Sequence, residues 1–257
     1  MTDLDRDGAR REAGPVMRDL PTLLHILASL PQGRAGIRIA ALDGLSPYLA
    51  IDGPIGSIAA RTLGRASRPV RAILFDKTAE TNWSLAWHQD RTICLRRRIE
   101  TPGFGPWTVK DGLLHVAPPF DILAGMLTLR VHLDPVPIDN APLLIARGSH
   151  CHGRVSNDAI DSIVRASDIV ACLAQAGDVW TYRTPILHAS AAARTPARRR
   201  VLQVDYAAQD LPNGLEWMGV GQPPGTATGG ATDSPRRRSA HQNRAFTPPN
   251  AARPGVA

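Results

Sequence analysis

The stretch DVWTYRTPILHASAAARTPARRRVLQVDYA, residues 178–207, contains two strand-like segments joined by a connection without helical character. DVWTY (178–182) and RVLQVDY (200–206) are short and rich in valine and aromatic residues, as β-strands commonly are. The connection contains proline, alanine and arginine, with no apolar repeat at helical spacing. The stretch therefore predicts two short strands without a helix between them.

Similar short apolar runs occur through most of the chain. The other strand-like runs lie at residues 70–76, 91–96, 126–133, 142–146 and 168–174. Apolar residues at helical spacing predict helices at residues 17–30, 53–63, 118–126 and 156–167. Strands do not alternate with helices, and no glycine-rich phosphate loop is present. The pattern predicts a mainly β fold with flanking helices, either a sandwich or a jelly roll.

The predicted domain is bounded by two segments with little to bury. Residues 1–15 are charged and polar, and residues 219–257 are rich in proline, glycine and arginine. Segments of this composition cannot bury enough apolar surface to fold, so both are expected to be disordered. The globular domain is therefore predicted at residues 16–218.

Composition excludes several classes of protein. No apolar run is long enough to span a bilayer, and the N-terminus has no signal-peptide core. Three widely spaced cysteines argue against a disulfide framework and a zinc ribbon, so a cytoplasmic location is expected. Of the net charge of +7, five arginines and one aspartate in the tail supply four. The body is only mildly basic, and no nucleic-acid partner is expected, although binding through the arginine-rich tail stays open as an alternative.

The chemistry-bearing residues suggest a metal site. His88 and Asp90 are two residues apart, and His188 follows a later strand and an apolar turn. Two histidines and one carboxylate on one face of the metal are the ligands of non-haem Fe(II) oxygenases. The chain order therefore predicts an iron site if the fold returns His188 to the His-x-Asp pair.

A second His-x-Asp pair, His132 and Asp134, is the main rival. Only about three predicted strands separate it from His188, whereas a jelly-roll site takes its first pair earlier in the chain. The earlier pair is therefore favoured, with His132 expected in the barrel wall and Asp134 at the start of a turn.

Arg199 and Ser190 are candidates for binding an anionic cosubstrate. Arg199 opens the strand at 200–206, eleven residues after the candidate ligand His188, and Ser190 lies two residues after it. A guanidinium is a fixed, always charged partner for one end of a dicarboxylate. Lys77 and Arg130 lie on or beside strands whose alternate residues face inward, so either could also reach a carboxylate.

From about residue 70 to residue 217 the chain resembles the phytanoyl-CoA dioxygenase family of Fe(II)/2-oxoglutarate-dependent oxygenases. The resemblance rests on WHQD (87–90), DNAPLLIARGSH (139–150), GDVWTY (177–182), ILHAS (186–190) and RRRVLQVDYA (198–207). It implies a double-stranded β-helix, or jelly roll, with iron at one open end. Matched residue by residue, it implies His88, Asp90 and His188 as iron ligands. Arg199 then binds the distal carboxylate of 2-oxoglutarate, with Ser190 beside it.

The resemblance also implies a reaction. Fe(II), 2-oxoglutarate and O2 are the expected cofactors, with ascorbate as the reductant in vitro. Hydroxylation of a C–H bond of a small molecule is expected, with conversion of 2-oxoglutarate to succinate and CO2. A carboxylate at Asp90 favours hydroxylation or desaturation over halogenation, because halogenating relatives have a small residue there. The alternative is a catalytically inactive ligand-binding protein on the same scaffold.

Some residues leave questions open. Arg147 stands where the family usually has proline or a small residue, in a loop that normally lies near substrate. The substrate is therefore left open between an acyl-CoA, an amino acid and a secondary metabolite, and the oligomeric state is not predicted. His150 and His152 are expected in a structural turn, and His115 is either a loop histidine or a substrate contact.

Overall fold

The computed structural model describes residues 3–31 and 33–221, all within one structural unit. In this part of the chain the strands are β1 Ala9–Glu12, β2 Gly36–Ile39, β3 Arg68–Lys77, β4 Leu85–His88, β5 Ile93–Leu95, β6 Trp107–Lys110, β7 Leu113–Val116, β8 Leu127–His132, β9 Leu143–Ala146, β10 Ile169–Ala171, β11 Val179–Arg183, β12 His188–Ser190 and β13 Arg199–Ala207. The helices are α1 Leu20–Leu27, α2 Ser46–Leu49, α3 Gly56–Leu63, α4 Phe120–Ala124 and α5 Ile160–Ala166, with 3₁₀ turns at Ser149–His152 and Asn157–Ala159.

The strands form a major, a minor and a small sheet. The major sheet has the order β1-β11-β8-β13-β3-β2, and the minor sheet has the order β10-β9-β12-β4. The third, small sheet has the order β5-β7-β6. Every strand pairing described is antiparallel. The mainly β, jelly-roll prediction is confirmed. All predicted strands and helices are present, with ends shifted by a few residues.

The major sheet has an apolar face and a polar face. On its central strand, β13, Leu202, Val204 and Tyr206 belong to the main hydrophobic core. The alternate residues Gln203 and Asp205 are also buried, on the opposite face. The same alternation occurs on the neighbouring strand β8, where the core residues Leu127, Leu129 and Val131 alternate with Thr128, Arg130 and His132.

The N-terminal helices cover the apolar face of the major sheet. Leu23 and Leu27 of α1, Leu49 of α2 and Ile58 of α3 belong to the same core as the outward residues of β13. The hydroxyl of Tyr206 donates to the carbonyl oxygen of Leu49 at 3.1 Å. Because helices bury this face, the polar side chains of the same strands point into the space between the sheets.

The expectation that residues 1–15 are disordered is wrong for the described residues of that segment. β1 pairs with β11 over four residues, from Ala9 opposite Tyr182 to Glu12 opposite Val179. Charge misled the sequence interpretation, because Arg11 of this edge strand pairs with Asp178, which is 167 residues away in the sequence.

Arg11 shows how the charged segment is held. Its Nε and Nη2 donate to one carboxylate oxygen of Asp178 at 3.0 and 2.6 Å. The amides of Gly14 and Gln175 donate to the same carboxylate, which is buried. The first strand is therefore fixed by backbone pairing and by an ion pair whose carboxylate is buried.

The predicted domain end at residue 218 is also too early. Val220 is buried in the main core, and the amide of Gly221 donates to the carbonyl oxygen of Ala40 at 3.0 Å. The ordered domain thus continues to the last described residue. The rest of the predicted disordered tail, residues 222–257, lies outside the described residues.

Two further sequence expectations concern the described region. Within residues 3–31 and 33–221, no helix is both long and apolar enough to cross a bilayer. Cys94, Cys151 and Cys172 are all free, in agreement with the absence of a predicted disulfide framework.

Replacing Arg11 with alanine should destabilise the protein by about 1–3 kcal/mol, because the buried carboxylate of Asp178 loses its cationic partner. Arg10→Ala is the matched control, since Arg10 pairs at 3.1 Å with the more accessible Glu12 and such pairs contribute less than about 1 kcal/mol. Urea unfolding of both variants measures the difference. Equal stabilities for the two variants would contradict an ordered, anchored N-terminal strand.

Candidate metal centre

Two histidines face each other across adjacent strands of the minor sheet. His88 ends β4 and His188 begins β12, and the register of the two strands pairs these residues directly. Their ring centroids are 4.3 Å apart. Because backbone hydrogen bonding sets the separation of adjacent strands, the fold itself fixes the distance between the two side chains.

Both histidines are held in the same tautomer. Nδ1 of His88 lies 2.8 Å from the carbonyl oxygen of Ala86, and Nδ1 of His188 lies 3.0 Å from that of Ile186. A carbonyl oxygen only accepts, so each Nδ1 carries the proton and donates. Nε2 of each ring is therefore left with a lone pair that can bind a metal ion.

Asp90 completes a cluster of three potential ligands, which we call the triad (His88, Asp90 and His188). One ligand atom from each residue lies within 4.8 Å of the others. The three come from two strands and the residues that follow β4. The structure therefore brings together the three residues that the sequence singled out.

Gln89, between the two ligands of the His-x-Asp pair, anchors this segment. Its buried amide nitrogen donates to the carbonyl oxygens of Gly153 and Pro185 at 2.9 and 2.8 Å. Its amide oxygen accepts from the backbone N–H of Val155 at 3.0 Å. Because neighbours in an extended chain point in opposite directions, fixing Gln89 on one side helps to direct the ligands to the other.

Arg71 of β3 orients the carboxylate of the triad. Its Nη2 donates to Oδ2 of Asp90 at 3.1 Å, and its Nε donates to Oδ2 of Asp205 on β13. The second oxygen of Asp205 accepts from the hydroxyl of Thr128 at 2.9 Å. Arg71 and Asp205 are buried, so this network joins the triad to the interior of the major sheet.

The ionisation states of the triad suit metal binding. Burial raises the pKa of Asp90, but Arg71 and the two histidines outweigh it, and the pKa lies below its usual value. Burial lowers the pKa of His188 to about 4, against the opposing effect of Asp90. The site thus presents an ionised carboxylate and a neutral imidazole, the forms that coordinate a metal.

His132 and Asp134, the rival His-x-Asp pair, do not form a common metal site. His132 is buried on the inner face of β8, and burial, with Arg130 and Arg199, lowers its pKa to about 3. The carboxylate of Asp134 instead accepts from Nε and Nη2 of Arg200 at 2.8 and 2.7 Å. Among the described residues, the triad is the only cluster of three potential metal ligands.

Three cations lie together on the polar face of the major sheet, and we call them the inner cations (Lys77, Arg130 and Arg199). Each is at most 5% exposed, and none forms an ion pair with a carboxylate in the described part of the chain. Nε of Arg130 and Nε of Arg199 are buried without a hydrogen-bond partner there. Unpaired buried charge is costly, so this arrangement fits an anionic ligand.

Lys77 and Arg199 sit on paired strands, directly opposite each other. Nη1 of Arg199 donates to the carbonyl oxygen of Ala141. Nζ of Lys77 donates to the carbonyl oxygen of Trp83 at 2.6 Å and lies 3.4 Å from Oγ of Ser190. Burial and the two neighbouring guanidinium groups lower the pKa of Lys77 to about 8.

One cavity of about 450 Å³ is lined by the triad, the inner cations and Ser190. A metal-binding cluster and an unpaired cationic surface therefore share one space between the sheets. These residues fit a divalent metal ion together with an acid that has two anionic ends, because the donors of both sets face the same cavity.

The remaining candidates lie away from this cavity. Arg147 donates to the carboxylate of Asp7 at 2.8 Å and lines a separate surface cleft, so its predicted closeness to substrate is not found. His115 is fully buried on β7, where its Nδ1 donates to the carbonyl oxygen of Leu113. His150 lies in a 3₁₀ turn, and its Nε2 contacts the carbonyl oxygen of Asp5 at 3.2 Å. This agrees with the expectation that it belongs to a structural turn.

Sequence reasoning missed Arg71, Asp205 and Gln89. Asp205 offered a usable signal, because it interrupts the apolar run RVLQVDY and so had to face a partner or a cavity. Arg71 offered none, since its two acidic partners are 19 and 134 residues away in sequence.

Solved structures similar to this chain share one fold. EctD from S. alaskensis, in its apo form, is 21% identical over 86% of this chain and 79% of EctD, with a TM-score of 0.57. HygX from Streptomyces hygroscopicus, with nickel and 2-oxoglutarate bound, is 15% identical over 79% of this chain and 84% of HygX, with a TM-score of 0.54. SnoK, an alpha-ketoglutarate-dependent carbocyclase from nogalamycin biosynthesis, is 16% identical over 79% of this chain and 80% of SnoK, also with a TM-score of 0.54.

The family model for phytanoyl-CoA dioxygenase (PhyH) matches residues 54–201, more than half of the chain. No curated protein matches the chain by sequence. The matched range contains the triad, Ser190 and Arg199, and the resemblance drawn from the sequence motifs is confirmed. The chain belongs to the phytanoyl-CoA dioxygenase family of Fe(II)- and 2-oxoglutarate-dependent oxygenases.

Proposed function

We propose that this protein hydroxylates a C–H bond of a small molecule, with the triad as iron ligands and Arg199 as the anchor of 2-oxoglutarate. The observation that supports this most is the shared cavity, in which three convergent metal ligands adjoin three buried cations without acidic partners. His88, Asp90 and His188 fit Fe(II) because two imidazole nitrogens and one carboxylate on one side leave the other positions free for ligands. When bound, the metal supplies the oxygen activation that protein side chains cannot provide.

The inner cations are proposed to hold the cosubstrate. Arg199 and Ser190 bind the distal carboxylate of 2-oxoglutarate, and Lys77 adds a third donor beside Ser190. A guanidinium matches a carboxylate with two parallel donors. HygX, a structural neighbour, was crystallised with nickel and 2-oxoglutarate, which agrees with such a cavity accepting both. Burial of the cations removes competing water, so the pairing is stronger than at a surface.

Other residues of the chain orient and protect the site. Arg71 donates to Asp90 and is itself held by Asp205, so the carboxylate of Asp90 cannot rotate freely. The Nδ1–H bonds to Ala86 and Ile186 fix both imidazole planes. Trp83 closes over Lys77, with Nζ at 4.6 Å from the ring centroid. These contacts hold the reacting groups in place before substrate binds, which reduces the cost of ordering them later.

The ligand assignment predicts different behaviour for the two His-x-Asp pairs. His88→Ala, Asp90→Ala and His188→Ala should each weaken Fe(II) binding by more than about a hundredfold, since even loss of an outer-shell partner costs 10–100-fold. His132→Ala should keep near-wild-type iron affinity. Anaerobic Fe(II) titration with 2-oxoglutarate, followed by the visible charge-transfer band, measures both. Loss of the band in His132→Ala with an intact band in His88→Ala would overturn the assignment.

Arg199→Ala should raise the Kd of 2-oxoglutarate by the equivalent of about 2–5 kcal/mol while iron binding is retained, because a desolvated charged pair is broken on one side. Arg200→Ala is the matched control, as the neighbouring arginine faces away and pairs with Asp134. Calorimetry on the Ni(II)-loaded protein gives the Kd, and succinate formation without added substrate gives the activity. The proposal fails if the two variants bind 2-oxoglutarate equally well.

The affinity for 2-oxoglutarate should fall as the pH rises through about 8, where Lys77 loses its proton. An anion stabilises the protonated lysine, so binding above this pH requires proton uptake, and Kd should increase by up to about tenfold per pH unit. Lys77→Arg stays charged and should abolish this dependence. Calorimetric titrations across this range test it, and parallel pH profiles for the two proteins would exclude a role of Lys77 in binding.

A further inference from the structure

The cavity that contains the triad is strongly electropositive. Seven basic side chains line it, against a single acidic one, Asp90. Arg71 is matched by the buried Asp205, with which it forms an ion pair. The inner cations account for three more, and the proposed 2-oxoglutarate gives them a partner. Three cations are then left that the proposed function does not use.

These three, which we call the mouth cations (Arg38, Arg91 and Lys110), come from separate parts of the chain. Arg38 is on β2, Arg91 directly follows Asp90, and Lys110 ends β6. Within the described residues, neither Arg91 nor Lys110 forms an ion pair, and Lys110 is exposed. Arg91 donates to the carbonyl oxygen of Val155 at 2.6 Å, which leaves its charge uncompensated.

The β6–β7 hairpin is held over this side of the cavity. Asp111 and Gly112 form its turn with positive φ angles of 48° and 76°, as a two-residue hairpin loop requires. The carboxylate of Asp111 accepts from Nη1 of Arg38 at 2.6 Å and lies 3.6 Å from Arg34. This contact pins the hairpin to β2, so Lys110, the residue before Asp111, lines the cavity beside Arg38.

The mouth cations and the inner cations are two separate groups. Lys77 pairs with Arg199 at the end of β3, whereas Arg38 lies on the edge strand β2 opposite Ile73, four residues earlier on β3. A ligand held by the mouth cations would therefore contact residues other than those that hold the cosubstrate.

Loading the site does not remove this positive charge. An Fe(II) ion and a 2-oxoglutarate dianion add no net charge between them, so the excess of cations over Asp90 remains. A cavity with one sign of charge and low-dielectric walls concentrates ions of the opposite sign. A neutral substrate would leave Arg91 and Lys110 without an anionic partner, and a cationic substrate would be repelled by them.

We propose that the primary substrate is a small acid, whose carboxylate or phosphate group binds Lys110 and Arg91 at the mouth while its apolar part lies toward the triad. This rests on the proposed function, because it assumes that the inner cations hold 2-oxoglutarate. Lys110 supplies an exposed positive charge at the mouth of the cavity. Arg91, held by Val155, supplies a fixed donor next to a metal ligand.

Calorimetry on the full-length protein, loaded with Ni(II) and 2-oxoglutarate, tests the proposal with hexanoate, hexyl phosphate and inorganic phosphate. Hexan-1-ol and hexanamide are the neutral controls. We expect hexanoate or hexyl phosphate to bind at least about tenfold more tightly than either neutral compound, the effect of one charge-assisted hydrogen bond. The carboxylate and phosphate arms distinguish the two kinds of acid, and inorganic phosphate reports the charge contribution alone.

Lys110→Gln should weaken the binding of the acid about tenfold, and Lys110→Arg should restore it, while the Kd of 2-oxoglutarate stays unchanged. Arg65→Gln is the matched charge control, because Arg65 is 84% exposed, pairs with Asp52 and does not line the cavity. Equal binding of acids and neutral compounds, equal behaviour of Lys110→Gln and Arg65→Gln, or no binding of any acid would overturn the proposal. Failure of the protein to bind 2-oxoglutarate would instead count against the proposed function.

Discussion

The structure depends on a major sheet whose two faces have opposite chemistry. Every inner strand must alternate, with leucine and valine toward the helices and polar residues toward the cavity. A shift of one residue in register would place the polar set in the hydrophobic core and the apolar set in the site. Helix packing on one face therefore also specifies the position of the inner cations, although no helix contributes to the triad.

Arg71 illustrates how this sheet stabilises a polar interior. Its guanidinium lies between Asp90 and Asp205, so one buried cation compensates two carboxylates. Pairs of this kind add little net stability, because desolvation offsets most of the Coulomb attraction. Their effect is geometric: the strand-borne arginine transfers the rigidity of β3 and β13 to a carboxylate that lies outside any strand.

Prediction from sequence succeeded where the signal was local and failed where partners were distant. The long apolar runs of β3, β8 and β13 were readable from the sequence. The chain order of His88, Asp90, His188 and Arg199 singled out residues that line one cavity in the structure. β4 and β12 are only four and three residues long, and they are strands because they pair with each other across about a hundred residues. β1 was misjudged because its charges seemed solvated, and the Asp-Gly turn between β6 and β7 was an unused hairpin signal.

The direct pairing of His88 with His188 also sets when the site can form during folding. The two residues are a hundred positions apart, and contacts of such long range form slowly. Until their strands pair, the fold holds in place no more than the His-x-Asp half of the triad. Under the proposed function, metal binding then follows strand pairing, and the ion enters a cavity that the fold has already built.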